Sequence, residues 1–227
     1  MKIIGHRGAR GLETENTLKS FRKAVDLGVD GVEFDVWTSK DGVPVVSHDS
    51  DLVRMTGFSG QIFDMTLKQI RSHKMHDGQT VPTAQEALDE LGKISVFLEI
   101  KDFYLSPGIL KLLNNNRKAD IRVTSFNHGV LLELKKLRPD LKLYPTTAWH
   151  PLETLELVRD NSLHGMNLNY RSFNLFIYWL AKRYKINIRL YTVNRVWFVR
   201  LLRRLRFNVD ITTDYPDRLV PIVKKNR

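Results

Sequence analysis

The sequence predicts an α/β fold closed as a TIM (β/α)8 barrel, and three observations carry that expectation. Short β-rich runs alternate with helical patterns along the whole chain, the sign of βα units and a parallel sheet. The runs number eight and each is followed by a helical pattern, which is the count a closed barrel needs. With 227 residues, 42% of them apolar, the chain can bury one barrel core, so a single domain over residues 1–227 is expected. A doubly wound open sheet is the competing architecture.

The expected elements follow in order. A strand at Lys2–Gly5 leads to a helix at Thr17–Leu27, and a strand at Gly31–Val36 follows. Next come a helix at Thr83–Leu91, a strand at Val96–Ile100, a helix at Pro107–Asn115, a strand at Arg122–Phe126 and a helix at Val130–Leu137. The third quarter holds Leu141–Thr146 as strand, Pro151–Arg159 as helix, Gly165–Asn169 as strand and Phe173–Tyr184 as helix. Strands at Ile188–Val193 and Val209–Thr212, with helices at Arg195–Leu205 and Pro216–Lys224, complete the repeat. One stretch interrupts it. In "KDGVPVVSHD" the Asp41-Gly42 pair is a hairpin signal, so the second strand folds back as an antiparallel partner ending near His48. Residues 49–81 are irregular, with Gly57, Gly60, Gly78 and a short helical piece at Leu67–Ser72, and read as a small insertion at the barrel top.

Composition narrows the chemistry. There is no cysteine, which excludes disulfides, thiolate metal sites and a cysteine nucleophile, and leaves oxygen or imidazole for any metal. No apolar run approaches the length of a membrane span, and the start lacks the apolar core of a signal peptide, so a cytoplasmic location is expected, with peripheral membrane contact as a variant. The formal charge of +11 favours an anionic partner. Much of that excess comes late, in Arg195, Arg200, Arg203, Arg204, Arg206 and the tail Lys224-Lys225-Asn226-Arg227.

Against that charge, the carboxylates of "GVEFDVW" stand out. Glu33 and Asp35 are two apart on a strand and so share a face, while Val32, Phe34 and Val36 take the other and pack under helices. The pair then projects into the barrel near its C-terminal mouth. Glu99, in "VFLEIK", occupies an equivalent place on the next barrel strand. Three buried carboxylates repel one another unless a cation intervenes, which points to a hard divalent ion, Mg2+ or Ca2+ with Mn2+ as a third choice. A solvent-facing E-x-D pair and a plain Glu99–Lys101 ion pair are the bland alternatives. His6 and His48 each sit at a strand end, and Arg7 and Lys101 place fixed positive charge near the same mouth. A metal, two cations and two imidazoles suit transfer of a phosphoryl group. His73, His76, His128, His150 and His164 are taken as structural or surface histidines.

"GHRG", "ENTLKSF", "DGVEFDV", "KDGVPVVSHD", "VPT", "LEIK", "TSF", "YTVN" and "TTDYPD" occur in the order and approximate spacing of the glycerophosphodiester phosphodiesterase family, which the chain resembles over nearly its whole length. The resemblance implies a TIM barrel, a divalent cation, and hydrolysis of glycerophosphodiesters to an alcohol and sn-glycerol 3-phosphate. It matches Glu33, Asp35 and Glu99 to metal ligands and His6 and His48 to acid/base histidines. Arg7 and Lys101 match phosphate contacts, and Glu15 a further acidic active-site position. Two departures are visible: Thr14 replaces a proline before "ENT", and Tyr191 replaces the tryptophan of "WTVN", reshaping the wall beside the glycerol or its substituent.

Two other readings attach to particular segments. "SFNLFIYWLAKRY", the Phe173–Tyr184 helix, is apolar almost all round and suits either a membrane surface, as for a lysophospholipase D type of enzyme, or an oligomer contact. "RVWFVRLLRRLR" suggests nucleic-acid or anionic-surface binding, but its Trp197, Phe198, Leu201, Leu202 and Leu205 are expected to form the inward face of an outer helix, and no nucleic-acid motif accompanies it.

Overall fold

The computed structural model describes residues 1–224; the last three tail residues, Lys225, Asn226 and Arg227, lie outside the described residues. Nine strands are present among the described residues: β1 (Ile3–His6), β2 (Gly31–Thr38), β3 (Pro44–Val46), β4 (Ser95–Ile100), β5 (Ile121–Ser125), β6 (Lys142–Thr147), β7 (Gly165–Asn169), β8 (Asn187–Tyr191) and β9 (Asp210–Thr213). They run in the order β1-β9-β8-β7-β6-β5-β4-β2-β3, and a further β1–β2 pairing closes the ring. Eight strands are parallel, and β3 alone is antiparallel, with Val36 opposite Val46. This is the TIM barrel that the alternation predicts, with the hairpin on its second strand.

The helices are α1 (Leu18–Asp26), α2 (Val53–Thr56), α3 (Leu67–Ser72), α4 (Ala84–Leu91), α5 (Pro107–Asn115), α6 (His128–Leu137), α7 (Pro151–Asp160), α8 (Leu175–Arg183), α9 (Val196–Arg204) and α10 (Pro216–Lys224). Their starts are written in side chains. Thr17 accepts from the Ser20 amide, and Thr83 and Glu86 form a reciprocal capping box. Ser106 accepts from the Ile109 amide with Pro107 in the first turn. Phe173 stays outside α8, because a 3-10 turn at Tyr170–Ser172 precedes it and Asn174 caps the helix through the Ile177 amide.

Strand alternation divides the residues between two environments. Val32, Phe34, Val36, Leu98, Val123, Leu143, Leu168, Leu190 and Ile211 face outward and are buried under the helices. The register gives the lumen a polar set instead: Glu33 beside Phe97, Asp35 beside Glu99, Phe97 beside Arg122, and Asn167 beside Arg189. Phe97 is held between two guanidinium groups, Arg189 at 4.1 Å and Arg122 at 5.0 Å from its ring centre.

The 49–81 insertion carries α2, a 3-10 turn at Ile62–Asp64 and α3. It has its own apolar cluster, in which Trp37, Val45, Leu52, Met55, Ile62 and Ile70 pack together apart from the main core.

One helix face departs from expectation. On α9 only Val199 and Leu202 are buried, while Trp197, Leu201 and Leu205 are exposed. An outer barrel helix needs a narrow inward stripe, which two residues three apart supply, so the remaining apolar side chains overflow to its outer side. On α8, similarly, Ile177 and Ala181 are buried, and Leu175, Phe176 and Trp179 are exposed.

Candidate active site

β2 and β4 deliver the carboxylates. Glu33, Asp35 and Glu99 are all buried, and one oxygen from each lies within 4.8 Å of the others. Burial and the neighbouring Asp35 charge push the Glu33 carboxyl well above its ordinary range. Asp35 goes the other way, held low by Lys101 and Arg7 against the cost of its burial. Three oxygens this close, one of them inclined to hold a proton, form a hard-donor set that a divalent ion fits.

Two fixed cations lean on this set. The Lys101 ammonium lies 2.5 Å from Glu99 Oε1 and 3.1 Å from Asp35 Oδ1, which raises its pKa despite burial. It also stands 5.8 Å from the centre of the Phe126 ring. Arg7 Nε is 3.1 Å from Asp35 Oδ2, and its Nη1 donates to Glu15 at 2.7 Å. Its backbone, at a φ of 50°, turns the amide to donate to Glu33 Oε2 at 3.0 Å. Gly8 makes that turn possible: at a φ of 86°, a Cβ there would sit 2.6 Å from the Ser20 carbonyl carbon. Glu15 is buried and gathers Arg7, Arg10 and Arg54, each at 2.7 Å, so it orients cations. Arg7 and Lys101 thus neutralise the acidic cluster through the two different oxygens of Asp35.

Each histidine has a carboxylate behind it. His6 Nδ1 is 2.6 Å from Asp214 Oδ1, which leaves Nε2, at 4.0 Å from Glu33, facing the acidic cluster. Asp214 is held in turn by Asn194, whose Nδ2 donates at 2.7 Å and whose Oδ1 accepts from the Asp214 amide at 3.0 Å. His48 Nδ1 is 2.6 Å from Asp49 Oδ1, and Arg54 donates to Asp49 Oδ2 at 2.5 Å. The electrostatic pull of His48 reaches Asp35. Both carboxyls are depressed below their ordinary range: Asp214 by His6 and Asn194, and Asp49 by Arg54 and His48.

Five residues around the acidic cluster and its histidines were not singled out from the sequence. Asp214 and Asn194 lie inside "TTDYPD" and "YTVN", and Asp49 directly follows His48, so the signal was present without an assignment. Asn16 is buried at a φ of 58° and donates to Asp35 Oδ2 at 3.0 Å. Arg189, only 1% exposed, adds charge in the lumen that pulls on Glu33 and Glu99. A basic residue within an apolar strand was the only hint of it. Tyr191 stands at the wall, with its hydroxyl donating to Thr147 O at 3.1 Å and its ring edge-on to Phe126.

The remaining histidines lie elsewhere: His73 stacks on Phe58, His128 Nε2 is 2.9 Å from Thr146 O, and His150 pairs with Glu153.

Known proteins share this arrangement of chain. A glycerophosphodiester phosphodiesterase of Caldanaerobacter subterraneus subsp. tengcongensis is 32% identical over 98% of both chains. One from Bacillus altitudinis is 31% identical over 97% of both. Among solved structures, a glycerophosphodiester phosphodiesterase of Thermotoga maritima superposes with a TM-score of 0.84 at 28% identity, covering 98% of both chains. A phosphodiesterase of Oleispira antarctica, solved in complex with the product sn-glycerol-3-phosphate, gives 0.88 at 24% identity over 98% of this chain and 96% of that one. The family model described as the glycerophosphoryl diester phosphodiesterase family matches residues 6–218. With that match over most of its length, and with a closed barrel carrying an acidic cluster at its mouth, the chain belongs to the glycerophosphoryl diester phosphodiesterase family and is a phosphoric diester hydrolase.

Proposed function

We propose that the enzyme hydrolyses glycerophosphodiesters to an alcohol and sn-glycerol 3-phosphate with a divalent cation, Mg2+ or Ca2+, and with His6 and His48 as its acid and base. The observation that carries this reading is the buried group of Glu33, Asp35 and Glu99 flanked by two histidines, each backed by a carboxylate. The product held by the Oleispira relative is the product expected here.

The three carboxylates would hold the ion, which when bound supplies positive charge to a phosphate oxygen. Arg7 and Lys101 shift part of their charge from Asp35 and Glu99 to the remaining phosphate oxygens. Asp214 keeps the proton of His6 on Nδ1, so Nε2 is free to take a proton from the nucleophile or return one to the leaving alkoxide. Asp49 does the same for His48, and the pair divides the two tasks. The nucleophile is water or the neighbouring glycerol hydroxyl. Tyr191 and Phe126 form the wall beside this chemistry.

A coupled assay for glycerol 3-phosphate across glycerophosphocholine, glycerophosphoethanolamine, glycerophosphoglycerol and a lysolipid tests the reading. His6→Ala and His48→Ala should each lower kcat by about 10²-fold or more. Normal turnover by either variant removes that histidine from the scheme. The exposed Leu175, Phe176 and Trp179 favour contact of the 173–184 helix with a lipid surface or another copy, and with it a lysolipid substrate. Lack of cysteine fits a cytoplasmic setting, and none of the described helices is long and apolar enough to cross a membrane.

A further inference from the structure

Strand ends at the C-terminal mouth of the barrel, and the helix starts that follow them, carry most of the large apolar side chains left exposed among the described residues. Phe103 (74% exposed) and Tyr104 follow β4, Trp149 (68%) follows β6, Leu175 and Phe176 open α8, and Trp197 opens α9. Because barrel helices run antiparallel to their strands, all of these lie on the face that holds the acidic cluster. Among the described residues the opposite face shows only Val25, Leu137, Tyr184 and Leu205 of this kind, spread over four helix ends. A one-sided collection of aromatic tips is costly to leave in water, since a monomer rarely exposes more than a few hundred Å² of contiguous apolar surface.

Charge selects the occupant. Arg171 precedes α8 and Arg195 precedes α9, both exposed and neither within ion-pair distance of a carboxylate among the described residues, and exposed Arg200 follows one turn into α9. They alternate along the rim with Leu175, Phe176 and Trp197. Aromatic side chains interleaved with unpaired arginines match the interfacial zone of a bilayer that contains anionic phospholipid, where rings sit at the headgroup level and cations meet the phosphates. The chain's net charge of +11 acts in the same direction.

We infer that the mouth face docks on an anionic phospholipid surface through Phe103, Tyr104, Trp149, Phe176 and Trp197, with Arg171, Arg195 and Arg200 anchoring it. The docked barrel presents its acidic cluster to the headgroup layer, so the substrates within reach are phosphodiesters of lipids or those released beside them. This consequence rests on the phosphodiesterase reading of the cluster, whereas the docking itself does not.

Partition of the intact chain onto vesicles of phosphatidylcholine with and without phosphatidylglycerol, in low and high salt, measures docking without turnover. The chain should co-sediment with the anionic vesicles, detach in high salt, and shift its tryptophan emission to shorter wavelength on binding. The triple variant Phe103→Ser/Trp149→Ser/Trp197→Ser should partition at least roughly tenfold more weakly. It should keep its activity on a water-soluble glycerophosphodiester and its melting temperature. Failure of the parent chain to bind either vesicle, equal partition by the variant, or a solution dimer that the triple substitution splits would each overturn the proposal. If vesicle binding holds while no diester is hydrolysed, the phosphodiesterase reading fails and the docking stands.

Discussion

Asp214 sits 208 positions from His6 in the chain and 2.6 Å from its Nδ1 in space, so the two ends of the barrel sequence meet in one hydrogen-bonded pair. β1 and β9 pair as neighbours in the ring, which is how the contact arises. Replacing Asp214 with Asn keeps the size of the side chain and removes the charge that fixes the His6 tautomer. kcat should fall by roughly 10²- to 10⁴-fold with little change in KM. Asp214 is depressed in the folded state, so its stabilising contribution is full above the ordinary carboxylate range and disappears as pH falls through the folded value. Thermal scans across acid pH should therefore show a shallower loss for Asp214→Asn than for the parent.

Divalent-ion binding should depend on pH through Glu33. Its raised pKa means that a proton competes with the ion, and the competition fades as pH rises. Calorimetric titration with Mn2+ should give an affinity that weakens by up to about tenfold per pH unit below that pKa. Chelation should abolish turnover, and added Mg2+, Ca2+ or Mn2+ should restore it. Undiminished activity in chelator would dispose of the metal.

Lys101→Met should separate charge balance from catalysis. Without the ammonium, Glu99 loses its nearest cation and Asp35 one of the two that stand 3.1 Å away in the metal-free chain. The variant should lose about 3 kcal/mol of stability in chelator, read as a lower unfolding midpoint. Divalent ion should recover much of the loss by taking over as countercharge, while kcat remains low. Equal midpoints for variant and parent in chelator would show that the contact is idle.

Thr83→Ala should act on stability alone. It removes the side-chain cap of α4, in which Thr83 Oγ1 accepts from the Glu86 amide at 3.2 Å and donates to Glu86 Oε2 at 3.1 Å, and leaves the Thr83 amide bond to that carboxylate in place. The expected cost is about 1 kcal/mol by urea unfolding, with turnover unchanged.

Much of this molecule could be read in its sequence because its information is local. The hydrophobic runs located the barrel strands to within a residue or two, with α5 and α10 at the expected bounds. The E-x-D spacing on β2 fixed the shared face of Glu33 and Asp35, and the parallel register then set Glu99 beside Asp35. What escaped was set by distant packing. No spacing rule joins His6 to Asp214, and nothing short of the closed ring shows that Phe97 lies between Arg122 and Arg189. The α9 apolar face misled for a related reason. Periodicity tells how wide a stripe is, whereas the curvature of the barrel decides how much of it fits underneath, and there Val199 and Leu202 suffice.

The insertion after His48 keeps a private interior, with Leu52, Ile62 and Ile70 packed on Trp37 and Val45 instead of into the barrel. Such a module can drift, shorten or be exchanged by recombination while the ring beneath it stays folded. It is tied to the barrel at the seam of Trp37, whose indole donates to the backbone oxygen of His48 at 3.2 Å, and through Asp49 and Arg54, which hold His48 and Glu15. Laboratory evolution can therefore begin in this separately packed region, away from Asp49 and Arg54, with small risk to the scaffold.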